Sequence, residues 1–212
     1  MGNFIQSKLV QKAVDELSSL PTIGTRSALR LALYILKQDK NYAKALSEAI
    51  QDMRDNIKYC RVCHNISDDD ICNICANTKR NHNIVCIVED VTDVLAIENT
   101  AQYNGVYHVL GGVISPINGI GINDLNISSL LNRVETDKIQ EAIIALPTSV
   151  EGDTTALYLY KKLSEYKNIE ITTIARGVAF GYDLEYTDQI TLGRSIINRI
   201  PYQYQISSKS SN

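Results

Sequence analysis

The pattern of apolar and polar positions changes twice along the chain. Between Ile5 and Ile57 the apolar residues recur at intervals of three and four, which predicts amphipathic helices and a small helical domain over residues 1–58. The next segment, residues 60–75, has few apolar residues and many Asp and Asn, so hydrophobic burial alone cannot fold it.

From residue 83 onward, short apolar runs alternate with amphipathic stretches. The runs are IVCIV, VYHVL, AIIAL and IEITTI, and the stretches between them are DVLAIENT, ISSLLNRV and TTALYLYKKL. This alternation is typical of βαβ units and a mostly parallel sheet. We therefore predict an α+β multidomain chain, with an α/β domain over residues 83–178 and a C-terminal segment over residues 179–212.

Composition and charge limit the possible partners. The chain has 21 Lys and Arg against 24 Asp and Glu, a formal net charge of -3, so any contact with nucleic acid requires a local basic patch. No apolar run approaches the ~20 residues that span a membrane. The start of the chain also lacks a signal-peptide core. We expect a cytoplasmic protein with no membrane partner.

Four cysteines form the pattern C-x2-C-x8-C-x2-C. Each C-x2-C turn directs two thiolates to one point, and two such turns complete the four-sulfur shell that Zn²⁺ prefers. Because no ligand position is left for water, the pattern predicts one structural zinc ion. The predicted ligands are Cys60, Cys63, Cys72 and Cys75. We expect His64, beside a ligand, to face solvent, and Cys86, inside IVCIV, to be a buried core thiol.

A glycine turn connects two predicted helices. Pro21 ends the first helix, Gly24 allows a tight turn, and the second helix begins near Thr25. The free N–H groups at this helix start can bind a phosphate oxygen.

The second helix has a basic face. Arg26, Arg30 and Lys37 share that face by their spacing, and we expect the opposite face to be buried. The expected buried residues are Leu29, Leu33 and Leu36. A solvated basic face is the simpler interpretation, but the phosphate-compatible turn directly before it favours contact with a DNA backbone.

Carboxylates follow two of the predicted strands. Glu89 and Asp93 follow IVCIV, and Glu151 and Asp153 follow AIIAL. Because the carboxyl ends of parallel strands open on the same edge, these four side chains could converge. They could hold Mg²⁺ for phosphoryl transfer, or they could serve binding, either by holding Mg²⁺ weakly or by presenting negative charge to a basic partner.

Helix capping is the third interpretation of these acids. Asp153 precedes a helix expected to begin near Thr154, and Asp90 or Thr92 precedes another. For catalysis, a nucleophile or base is needed beside the metal, and we identify no such motif near these loops. His108 is better explained as a sheet residue, and Tyr158 and Tyr160 lie inside a helix. We predict no catalytic residues and favour a charged docking surface or a weak Mg²⁺ site.

Several motifs together resemble the RecR family of bacterial recombination mediators. LPTIGTRSA is similar to a helix-hairpin-helix element, and it is followed by the four-cysteine pattern and by IVCIVEDVTDVLAIENT. HVLGGVISPINGIG, SVEGDTTALYL, IARGVAFGYDLEYTD and TLGRSIINR extend the resemblance over nearly all of the chain. The order of hairpin, four-cysteine knuckle and α/β block is the most specific of these features.

The resemblance implies a non-catalytic DNA-binding protein of DNA repair and recombination. Such a protein works with RecO and RecF and helps to load RecA onto single-stranded DNA. The resemblance further implies a Toprim domain, binding of single- and double-stranded DNA, and a ring-shaped homotetramer. The alternative is a Toprim-type, Mg-dependent nucleic-acid enzyme that is primase-like or nuclease-like.

A few positions depart from the family pattern. Thr22 stands where the hairpin usually has glycine, and Pro147, Thr148 and Ser149 replace Asn-Pro-Thr. The later segment has Ala179 and Tyr182 in place of proline and a second glycine. None of these departures changes the predicted ligands or the acidic positions.

Overall fold

The computed structural model divides the chain into two compact units, Met1–Lys58 and Tyr59–Asn212. It describes residues 7–175, 177–178, 181 and 183–199, so Ala179 and Tyr182 lie outside the described residues. Within the described part of the chain, no helix is both long enough and apolar enough to cross a membrane.

The first unit is helical, as the apolar periodicity predicts. Its helices are α1 (Lys8–Ser18), α2 (Thr25–Lys37) and α3 (Lys40–Asn56). The Ser7 hydroxyl caps α1 by accepting from the Val10 N–H at 3.4 Å, and the Asp39 carboxylate caps α3 by accepting from the Tyr42 N–H at 3.0 Å. These caps satisfy N–H groups that have no partner inside the helix.

The core of the first unit is made of small residues. Val14 of α1 packs against Ala28 and Ala32 of α2. Because alanine is short, the two helices approach closely there and the larger side chains of α2 lie to the sides. The expectation that Leu33 and Leu36 form the buried face was therefore wrong, since they are 41% and 67% exposed.

The second unit begins with the cysteine-rich segment and continues into a four-stranded sheet. The short strands β1 (Lys58–Tyr59) and β2 (Ile66–Ser67) pair with each other and precede the one-turn helix α4 (Asn73–Ala76). The sheet has the order β4-β3-β5-β6, and all three of its pairings are parallel, as predicted. Its strands are β3 (Asn81–Val88), β4 (Gly105–Val109), β5 (Glu141–Ala145) and β6 (Glu170–Thr173).

Helices follow the strands in the alternation that the sequence predicts. The α-helices are α5 (Val91–Glu98), α6 (Ile127–Thr136), α7 (Val150–Leu163) and α8 (Gln189–Ile197), and the short 3-10 helices are Pro116–Asn118, Ile122–Asp124 and Leu184–Tyr186. The sheet is covered on both faces, and the period of two along β3 divides its residues between them. Val85 and Ile87 pack with residues of α6 and α7, whereas Cys86 and Val88 pack with Val94 of α5. The prediction of a buried Cys86 is confirmed.

The turn between α1 and α2 contains a strained residue. Thr22 has φ +68°, in the left-handed region that costs a β-branched side chain energy. Gly24, by contrast, has φ -79° and an extended backbone that any residue can adopt. The position that favours glycine for backbone reasons is therefore Thr22 and not Gly24.

We expect Thr22→Gly to raise the free energy of unfolding by about 0.5–1 kcal/mol. Glycine removes a left-handed cost of about 1–2 kcal/mol, and its greater freedom in the unfolded chain offsets part of this gain. Urea unfolding followed by circular dichroism measures the change. Thr22→Ala is the matched control, because it keeps a Cβ and should gain less. An equal gain from alanine, or a loss with glycine, would contradict this explanation.

Candidate functional site

The four predicted zinc ligands converge in the structure. Their sulfur atoms all lie within 4.8 Å of one another, and those of Cys63 and Cys72 are 3.5 Å apart. A tetrahedral ion at ~2.3 Å from each sulfur requires sulfur separations of about 3.8 Å, so the arrangement suits zinc. Among the described residues, this is the single group of three or more potential ligands gathered closely enough to hold a metal ion.

Local structure directs these sulfurs. Cys72 is the N-cap of α4, and Cys75 lies inside that helix. The Cys72 N–H donates to the Cys60 sulfur at 3.3 Å, and the Cys75 N–H donates to the Cys72 sulfur at 3.5 Å. The first turn is closed by the His64 N–H, which donates to the Cys60 carbonyl at 2.8 Å. Backbone donors of this kind orient thiolates and stabilise their negative charge.

The ionisation of the cysteines favours a cation at this site. Hydrogen bonds from the side chains of Cys63 and Cys75 lower the pKa of Cys72. A side-chain hydrogen bond with Cys72 raises the pKa of Cys63, and hydrogen bonds with Cys63 and Cys72 raise the pKa of Cys75; burial and repulsion from a neighbouring thiolate act in the same direction. A divalent cation removes this repulsion, which is why thiolate ligands bind metal in their deprotonated form.

The cysteine-rich segment is attached to the α/β core. The Val109 N–H donates to the Cys63 carbonyl at 2.8 Å, and the His64 ring lies 2.8 Å from the Ser129 hydroxyl. His64 also makes an edge contact with the buried ring of His108, with centroids 5.2 Å apart. Because of these contacts His64 is half-buried, and the expectation that it faces solvent was wrong.

The predicted basic residues lie together on α2. Arg26, Arg30 and Lys37 are exposed, and their spacing places them opposite the buried Ala28 and Ala32. The prediction that they share one face is therefore consistent with the helix that forms.

The start of α2 is open for an anion. Gly24 is its N-cap and supplies no side-chain hydrogen bond, so the first N–H groups of the helix point outward. A Cβ added to Gly24 would meet nothing within 4 Å. The helix dipole adds partial positive charge at this end. The open backbone and the basic face therefore occupy the same helix.

Glu89 and Asp93 lie just beyond the carboxyl end of β3. In the register of the sheet Val88 is opposite Ala145, so the segments that follow β3 and β5 begin at the same edge. Asp90 caps α5, and the Asp93 carboxylate accepts from the Asp90 N–H at 3.0 Å in a capping box. Burial, followed by repulsion from Asp93 and Asp90, raises the pKa of Glu89.

The second acidic pair lies inside a helix. Ser149 caps α7 by accepting from the Gly152 N–H at 3.0 Å, so the helix begins at Val150 and not near Thr154. Glu151 and Asp153 occupy its first turn, where negative charge is favourable.

Two further contacts involve the first turn of α7. Gly152 packs so tightly that a Cβ there would be 2.0 Å from the Pro147 carbonyl oxygen. Asp153 lies 4.0 Å from the Arg194 guanidinium. The four acids are thus brought to one edge, but they are not gathered as closely as the cysteines.

Tyr34 is a surface residue that sequence reasoning did not single out. It lies on α2 between Arg30 and Lys37 and is 53% exposed. The signal in the sequence is the spacing of four residues between Arg30 and Tyr34, which places an aromatic side chain beside the basic face.

Four family descriptions match consecutive parts of the chain. They are the RecR helix-hairpin-helix over residues 10–54, the RecR four-cysteine zinc finger domain over 57–77, the Toprim domain over 83–175 and the RecR C-terminal region over 177–200. The fold and the cysteine site therefore define a protein with a helix-hairpin-helix element, a four-cysteine zinc finger and a Toprim domain.

Curated relatives identify the family. A "Recombination protein RecR" of Flavobacterium johnsoniae is 57% identical, over 93% of this chain and 95% of the relative. Those of Parabacteroides distasonis and Cytophaga hutchinsonii are 53% and 54% identical, over 98% and 93% of this chain and 100% and 96% of the relatives. The chain belongs to the RecR family of recombination proteins, which confirms the resemblance and implies a role in DNA repair and recombination.

Proposed function

We propose that this protein is a non-catalytic DNA-binding mediator that works with RecO and RecF and helps to load RecA onto single-stranded DNA. Membership of the RecR family supports the role in recombination. The observation that carries the DNA-binding proposal is the basic face of α2 beside the open backbone at Gly24.

The proposed DNA contact is to phosphates. N–H groups at the start of α2 reach one phosphate oxygen, and the open space above Gly24 lets the backbone approach it. Arg26, Arg30 and Lys37 then neutralise phosphates along the helix. Phosphate contacts carry no direct sequence information. Single- and double-stranded DNA both present phosphates, so these contacts by themselves suit both forms.

We assign one zinc ion to Cys60, Cys63, Cys72 and Cys75, with a structural role. When bound, zinc supplies metal–sulfur bonds that tie both C-x2-C turns together. Two turns in a segment this poor in apolar residues gain their fixed geometry from those bonds. We propose the segment 60–75 as the zinc finger, between a DNA-binding domain over 1–58 and a Toprim domain over 83–178. Residues 179–212 form the proposed C-terminal segment.

The acidic edge is the proposed docking surface for RecO. Glu89 and Glu151 follow adjacent strands and present negative charge, which repels phosphate and attracts a basic protein surface. A weak Mg²⁺ ion at the same edge is compatible with these ligands. We do not favour a catalytic role for this edge, because Asp93 takes part in the capping box of α5. Burial also lowers the pKa of His108 to about 3, which makes it a weak base. The residue is buried within strand β4.

We also propose a homotetramer. No residue of α3 is buried, although four large apolar side chains recur along it at intervals of three and four. These are Tyr42, Leu46, Ile50 and Met53, each at least 40% exposed. Leu9 of α1 is also exposed. A second copy of the chain that covers these residues would remove their apolar surface from water.

Replacing Arg26 and Arg30 together with alanine tests the DNA surface. We expect weaker binding of DNA of any sequence, with a salt dependence flattened by roughly one phosphate per arginine lost. Fluorescence anisotropy over a range of salt concentrations gives the slope of log K against log salt. Lys8→Ala with Lys12→Ala is the matched control, because it removes two exposed cations of α1. An unchanged slope in the arginine variant would remove these residues from the DNA site.

Glu151→Lys tests the docking surface. We expect it to abolish the complex with RecO in size-exclusion chromatography, because it places positive charge against a basic partner, while DNA binding is retained. The matched control is Glu135→Lys, an exposed position near the end of α6, which should leave the complex intact. A complex that survives Glu151→Lys would favour a capping or metal role for this acid.

A further inference from the structure

Tyr34 lies within the basic face of α2. It follows Arg30 by four residues and precedes Lys37 by three, so the three side chains are neighbours on the helix surface. Along the helix axis Tyr34 is about 6 Å from Arg30 and about 4.5 Å from Lys37. More than half of the Tyr34 side chain is exposed.

A second tyrosine holds the Tyr34 ring in place. Tyr42 of α3 meets it in an edge-to-face arrangement, with centroids 6.1 Å apart and ring planes at 83°. This geometry is the favourable one for aromatic pairs, and it restricts the rotation of the Tyr34 side chain. A ring fixed before binding loses less conformational entropy when a ligand stacks on it.

We infer that Tyr34 is a stacking platform for an unpaired base, which gives the basic face of α2 a preference for single-stranded DNA. The inference rests on the phosphate contacts proposed for Arg26 and Arg30. Every base has a π face, so stacking is tolerant of sequence and complements phosphate contacts on either side. Bases in a duplex are already stacked on each other, and Tyr34 adds little to duplex affinity.

The chain offers a direct spectroscopic test, because it contains no tryptophan. In Tyr34→Trp the introduced indole is the only one, and its emission reports stacking on a base. We expect quenching when an oligothymidylate binds, and little change when a duplex of equal length binds. Tyr59→Trp is the control, because Tyr59 is 67% exposed and lies outside the basic face.

Affinity measurements complete the test. We expect Tyr34→Ala to weaken binding of oligothymidylate roughly tenfold and to leave duplex binding unchanged, whereas Tyr34→Phe keeps the single-strand affinity. Circular dichroism verifies that each variant is folded. Equal weakening for both kinds of DNA, or unchanged Trp emission while single-stranded DNA is bound, would overturn the inference.

Two further outcomes separate this inference from the proposals on which it depends. If the arginine variant flattens the salt slope but the Tyr34 variants behave like the unaltered protein, the DNA surface stands and the stacking role fails. If the arginine variant leaves the slope unchanged, the proposed DNA surface fails and the stacking role with it. If Tyr34→Ala instead changes the oligomeric state in light scattering, Tyr34 contacts another copy of the chain, which also overturns the inference.

Discussion

Four cysteine sulfurs within 4.8 Å of one another organise a segment of this chain that is rich in Asp and Asn. Crowded thiols of this kind resist multiple deprotonation unless a cation balances their charge, so their convergence and metal binding depend on each other. The consequences extend into the α/β core, because the Cys63 carbonyl accepts from the N–H of Val109, the last residue of β4. His64 adds a contact to Ser129 of α6. The cysteine cluster and the edge of the sheet therefore form one connected structure.

The distribution of charge reconciles a net charge of -3 with the proposed DNA contact. Helix α2 carries three basic residues and no acidic one beside a start without a side-chain cap, whereas Glu89 and Glu151 follow adjacent strands of the sheet. The first surface suits phosphate and the second repels it. Within the proposed function, DNA phosphates and a basic partner therefore bind to surfaces of different charge.

Much of the fold could be predicted from sequence, because the period of apolar residues indicates helix or strand and the spacing of cysteines indicates which sulfurs converge. The parallel sheet and the four-cysteine cluster follow from such patterns. The residues that pack between helices, and the residue that caps a helix, are harder to predict from sequence. Helical spacing places Ala28 and Ala32 opposite the basic residues, but the prediction gave weight to the larger Leu33 and Leu36, which are exposed. The sequence indicates Asp153 as the cap of a helix beginning near Thr154, whereas Ser149 is the cap and α7 begins at Val150. Contacts between residues distant in sequence, such as His64 with Ser129, leave no local pattern.

Amide hydrogen exchange at Val109 tests most directly whether metal binding by the cysteines supports the edge of the sheet. The Val109 N–H is bonded to Cys63, whereas the adjacent Leu110 N–H is bonded to Val88 inside the sheet and serves as an internal control. Removal of zinc by a chelator, or Cys60→Ser, should accelerate exchange at Val109 more than at Leu110. Cys86→Ala, which removes a thiol outside the cluster without burying a hydroxyl, should keep both the zinc and the protection of Val109. Unchanged protection of Val109 in metal-free protein would contradict the account.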